Sequence, residues 1–118
     1  MKEFLFVFRR DLGARDFESS PEKMQALWKA WQDWTGSLTA QNKVAAMGKR
    51  IDPDGKVVNH NKQVTDGPYV EVKEGMAGYM FVKAANIDEA VELAKGCPNL
   101  MMGGSVEIRS VMAEHYAG

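Results

Sequence analysis

The chain has 118 residues, 45% of them hydrophobic and 26% charged, with a formal net charge of −1. That length suits a single domain over residues 1–118, large enough to bury a core without a disulfide or a metal, and the composition excludes a disordered chain. The near-neutral charge gives no basic face for nucleic acid or an anionic membrane, and the lone Cys97 excludes an intramolecular disulfide.

Residues 4–8, Phe-Leu-Phe-Val-Phe, predict a strand that is apolar on both faces. The stretch is too short to span a membrane and lacks the cleavage site of a secretory leader, so the expected compartment is the cytoplasm. One side of such a strand meets the domain's own helices. The other needs a second cover, which predicts a homodimer.

Ser20-Pro21 announces a helix, with Ser20 as its cap and Pro21 in its first turn. Met24, Leu27, Trp28, Trp31, Trp34, Thr35 and Leu38 then fall on one face. The three tryptophans of this stripe either pack on a sheet or line a ligand cavity, with Trp31 the candidate ligand contact.

Residues 44–51 predict a strand, Asp52-Pro53-Asp54-Gly55 a turn, and residues 56–65 a second, polar strand returning as a hairpin. Asp66-Gly67-Pro68 breaks it, and residues 69–74 connect to a strand over residues 78–83. Asn86 caps a second helix, with Glu89 in capping-box position and Ile87, Ala90, Val91 and Ala94 as its apolar stripe. Gly96 and Pro98 end it, and residues 105–112 form a last strand. The predicted fold is α+β, a ferredoxin-like βαββ(β)αβ unit with an antiparallel sheet.

No zinc set, phosphate loop or catalytic triad is visible, and no cofactor is implied. The candidate catalytic residues are Asp66, as general base or substrate anchor under a covered sheet, and His60, whose ordinary pKa suits proton transfer. Each has a plainer reading: Asp66 as a turn residue, His60 as a solvated side chain. Lys73, Tyr69, Arg9 and Arg109 are further candidate ligand contacts. For both arginines the competing reading is pairing with Glu3 or Glu107 across the sheet. Cys97 reads as a small packed residue.

Thr65-Asp66-Gly67-Pro68-Tyr69-Val70-Glu71-Val72-Lys73-Glu74 resembles the signature of the YCII-related family, in the branch named for an Asp-Gly-Pro-Phe motif, with Tyr69 in place of Phe. Pro21, Glu22 and Met24 at the first helix, Gly78-Tyr79, Asp88-Glu89-Ala90 and Val106-Glu107-Ile108-Arg109 extend the likeness along nearly the whole chain. The resemblance implies a dimeric α/β barrel, in which two ferredoxin-like sheets pack face to face. The family lies near isomerases, decarboxylases and monooxygenases of that architecture. Some relatives pair a histidine early in the first helix with an Asp, but residues 20–28 here contain no His, so only Asp66 carries over. Genes of the family often accompany alternative sigma factors, which admits a transcription-linked protein partner.

The expected function is therefore that of a small-molecule-binding homodimer. The alternative is a cofactor-free lyase, isomerase or hydrolase acting on a small organic acid, with Asp66 as acid/base.

Overall fold

The computed structural model describes residues 1–13, 20–67 and 74–112. In chain order the elements are β1 (Lys2–Arg10), α1 (Pro21–Ala40), β2 (Val44–Ala46), β3 (Lys56–Val58), β4 (Val64–Asp66), β5 (Gly75–Ala84), α2 (Ile87–Ala94), a 3-10 turn (Pro98–Met102) and β6 (Ser105–Ser110). Four strands form one antiparallel sheet in the order β2-β5-β1-β6. With two helices as connections, this is an α+β fold compatible with the ferredoxin-like pattern. Among the described residues no helix is long and apolar enough to cross a membrane.

Alternation along the central strands sorts the core. Phe4, Phe6 and Phe8 of β1 and Met80, Val82 and Ala84 of β5 share one face and are buried with Leu38 of α1 and Ala90 and Ala94 of α2. Removing a side chain of this size from water contributes about 1.5–3 kcal/mol. Val106 and Ile108 of β6 pack against the same cluster. The intervening residues Leu5, Val7, Tyr79 and Phe81 turn to the opposite face, paired as Leu5–Phe81 and Val7–Tyr79. Tyr79 and Phe81 meet there edge to face at 6.2 Å. The two-sided apolar strand expected at residues 4–8 is thus present, with both helices on one side of it.

Both caps form as the sequence predicts. The Ser20 side chain accepts from the Lys23 N–H, and Asn86 Oδ1 accepts from the Glu89 N–H at 2.9 Å. The Glu89 carboxylate reaches back to the Ala85 N–H and also takes Lys43 Nζ, both at 3.1 Å. These donors, Ala85 first, hold its pKa below the ordinary carboxylate value. The predicted stripe of α2 is half right: Ala90 and Ala94 are buried, but Ile87 and Val91 are exposed. Small side chains face the sheet, and the larger ones are displaced outward.

The expected hairpin is corrected. Residues 56–65 do not return along residues 44–51; β3 pairs instead with β4, in a separate two-stranded sheet with Lys56 opposite Asp66 and Val58 opposite Val64. The turn lies at residues 59–63 because Asn59 organises it. Its Oδ1 accepts from the N–H groups of Asn61 and Gln63, both at 2.9 Å, while Lys62 takes a left-handed φ of 64°. The Asp52–Gly55 signal is a local bend, with Asp52 Oδ1 accepting from the Asp54 N–H. Asp66 is the last residue of β4, so the strand ends where Asp66-Gly67-Pro68 predicts, and β5 begins at Gly75, earlier than expected.

Residues 47–51 run on beside β5 as an irregular continuation of β2. Tyr79 N–H donates to Lys49 O and Ile51 N–H to Ala77 O, and Arg50 bridges Gly78. Gly48 makes this possible: it has φ 69°, and a Cβ there would fall on the carbonyl of Tyr79.

Candidate functional site

The first and second halves of α1 meet the sheet differently. In the second half, Leu38 is buried, and Trp34 stacks near Phe6 and donates its indole N–H to Leu93 O at 3.1 Å, tying α1 to the end of α2. Trp31 sits between the halves, edge to face with Phe8 at 5.1 Å and with Trp34 at 5.7 Å. In the first half, Leu27 is buried but Met24 is partly exposed and Trp28 is 65% exposed.

A cavity of about 470 Å³ opens beneath this first half. Its helix wall is Met24, Leu27, Trp28 and Trp31; its floor is Phe8 with Ala77, Gly78 and Met80; its far wall is Met47 to Arg50. Met102 of the 3-10 turn closes one side. The walls are mainly apolar, and four methionines give them adaptable shape.

Three cationic residues, Arg10, Lys49 and Arg50, are among those that line the cavity, and none of the described lining residues is acidic. Arg10 lies two positions beyond Phe8, so alternation turns it to the helix side of the sheet. One of its guanidinium nitrogens is 3.0 Å from the Met102 sulfur. Asn99 is buried at the cavity edge, its amide donating to Arg9 O and Ser105 O at 3.1 and 2.8 Å. That amide pins the end of β1 to β6.

The residues singled out from sequence are not gathered in one place. Trp31 lines the cavity. Asp66 does not: its side chain is 93% exposed and accepts from Lys56 Nζ at 2.6 Å across the β3–β4 hairpin, rather than lying beneath a covered sheet. His60 is exposed in the turn of that hairpin. Arg9 donates to Glu107 at 2.8 Å, and Arg109 reaches the other oxygen of the same carboxylate at 3.4 Å. The Arg9 contact is the expected pairing across the sheet, whereas Arg109 meets Glu107 within its own strand β6. Arg9, ahead of Arg109, holds the Glu107 pKa below its ordinary value. Tyr69 and Lys73 lie outside the described residues, as does His115. Among the described residues no group of three or more His, Cys, Asp or Glu side chains is placed to hold a metal ion.

Cys97 is buried at the start of the 3-10 turn, and desolvation pushes its thiol up to about 12. It is an un-ionised packing residue at neutral pH.

Sequence reasoning missed Arg10, Lys49 and Arg50 as site residues, and reached Trp28 only as a member of the tryptophan stripe. For Arg10 a signal existed: a charge at the position where the alternation of β1 calls for another core residue. For Lys49 and Arg50 there was none, because only the close approach at Gly48 brings their segment alongside β5.

A search of curated proteins returned no match to this chain. The family model of the YCII-related domain matches residues 11–115. The match begins just after β1 and runs through both helices to beyond β6, covering most of the chain, and the chain belongs to the YCII-related domain family.

Proposed function

We propose that this protein is a small-molecule-binding homodimer whose ligand occupies the cavity under the first half of α1. The observation that carries the reading is the cavity itself. Its volume of about 470 Å³ falls in the range of small-molecule sites, roughly 300–1,000 Å³, and apolar walls with a few polar groups are the usual lining. Trp28 supports it further. A tryptophan left 65% exposed beside a cavity is a large aromatic surface with no ring partner among the described residues. The described lining contains no imidazole, carboxylate or thiol, which favours binding over acid–base catalysis.

The dimer rests on the other face of the sheet. Leu5, Val7, Tyr79 and Phe81 form an apolar patch opposite both helices. A second copy laid sheet to sheet covers it and gives the dimeric α/β barrel. The ion pairs of Glu107 with Arg9 and Arg109 then border the interface. The likeness of Asp66-Gly67-Pro68-Tyr69 to Asp-Gly-Pro-Phe supports assignment to that branch of the family, and the cytoplasm is the compartment that fits a chain with one buried thiol.

A thermal-shift screen of metabolites on wild type, Trp28→Ala and Asp66→Asn tests the binding site. A ligand at a hundred times its Kd adds about 2.7 kcal/mol, several degrees for a domain of this size. Hits lost in Trp28→Ala and kept in Asp66→Asn support the cavity. Hits lost only in a folded Asp66→Asn move the site to the hairpin and favour the enzyme reading. Light scattering tests the assembly: twice the chain mass is expected, and a clean monomer at micromolar concentration removes the dimer.

A further inference from the structure

We infer that the ligand of this cavity is an organic anion with a flat apolar body, an aryl carboxylate or a close analogue, whose acid group sits against Lys49 and Arg50. The inference rests on the cavity reading above and adds the chemical class. Two independent features of the lining point to it.

The first is charge. The chain as a whole carries a net charge of −1, yet the described residues around the cavity include Lys49 and Arg50 and no carboxylate. Elsewhere on the described surface several cations stand beside acids, Lys29 with Asp33, Lys43 with Glu89, Lys56 with Asp66, Lys95 with Glu92 and Arg9 with Glu107, while Lys2, Lys23 and Lys62 form no ion pair among the described residues. Lys49 and Arg50 have no such partner among the described residues, although both are exposed and lie next to each other on one wall. An anion arriving at that wall gains charge-assisted hydrogen bonds without displacing a resident carboxylate.

The second feature is shape. Trp28 and Trp31, three residues apart, line the cavity from the helix, Phe8, Ala77 and Gly78 line it from the sheet, and Lys49 and Arg50 line it from the segment beside β5. Gly78 has no side chain, and Ala77 only a methyl. A flat ring can therefore lie between the indoles and the sheet while its acid group reaches the cationic wall. Bare inorganic anions use only half of this site, because they bury none of the apolar surface. Neutral aromatics use only the other half.

The experiment compares 1-naphthylacetate with its neutral isostere 1-naphthylacetamide by titration calorimetry. It uses wild type, Trp28→Ala and the double variant Lys49→Ala/Arg50→Ala. The acid is expected to bind wild type about tenfold tighter than the amide, the contribution of one charge-assisted contact. In the double variant that ratio is expected to fall to about one, with affinity for the amide unchanged. In Trp28→Ala both probes weaken together. Equal binding of acid and amide to wild type overturns the anion assignment while leaving the cavity reading intact. If neither probe binds wild type, both fall. A ratio that survives the double substitution overturns the role of Lys49 and Arg50. The wild-type ratio alone decides the ligand class even if the double variant does not fold.

Discussion

Trp34 and Trp28 lie less than two turns apart on one helix and on the same predicted face, yet their surroundings are opposite. Trp34 packs on Phe6 and Phe8 and hydrogen-bonds to the end of α2. Trp28 leaves most of its surface in water above a cavity. The difference comes from what stands beneath each. Under the second half of α1 the sheet offers Phe4, Phe6 and Val82, and α2 flanks it with Ala90 and Ala94. Under the first half the sheet offers Ala77 and Gly78, and its neighbour is the irregular segment through Gly48. An amphipathic stripe specifies which face of a helix turns inward. The residues below it decide whether that face meets a core or a cavity.

Four substitutions break or sharpen this comparison, in descending size of effect. Leu38→Ala strikes the packed half. Leu38 is only 2% exposed, and urea unfolding is expected to register a loss of about 2–5 kcal/mol. Gly48→Ala strikes the wall of the open half, where a Cβ meets the Tyr79 carbonyl and φ is 69°. The expected loss is about 1–3 kcal/mol, with weakened ligand binding because residues 47–50 must shift. Trp34→Phe keeps an aromatic six-membered ring and removes the bond to Leu93 O, for about 1 kcal/mol by the same assay. Trp28→Ala, on the exposed half, is expected to change stability by no more than about 0.5 kcal/mol. A large loss there would show that the first half of α1 is held by packing after all.

Much of this fold was legible in the sequence. The caps at Ser20 and Asn86 and the alternation in β1 and β5 rest on local chemistry, and the structure follows them. The hairpin was misjudged because Asp52-Pro53-Asp54-Gly55 carries the stronger turn composition, while Asn59 makes its turn through side-chain bonds that composition does not display. The candidate site was legible only in its tryptophan stripe. Asp66 drew attention as a motif residue, but it pairs with Lys56 on an exposed hairpin. Lys49 and Arg50 reach the site through a tertiary approach that no local pattern announces.

Electrostatics separates the two helix starts as well. Glu89 at the start of α2 is held below its ordinary pKa by the Ala85 N–H and Lys43. A carboxylate depressed in the folded state stabilises above its ordinary value of 4.5 and loses that contribution as pH falls through its folded value. Wild type is therefore expected to lose more melting temperature between neutral and acidic pH than Glu89→Gln does. Parallel melting curves for the two would remove Glu89 from the acid response. At Cys97, burial predicts that a thiol reagent at pH 8 leaves the native protein unmodified and reacts on denaturation.

The central claim is that the functional site is the cavity beneath the first half of α1. Its most direct test is the affinity of 1-naphthylacetate for wild type, Trp28→Ala and Asp66→Asn, each with its melting temperature. Binding lost in Trp28→Ala at an unchanged melting temperature, and retained in Asp66→Asn, is the expected result. Binding retained in Trp28→Ala and lost in a folded Asp66→Asn would contradict the claim and place the site at the hairpin.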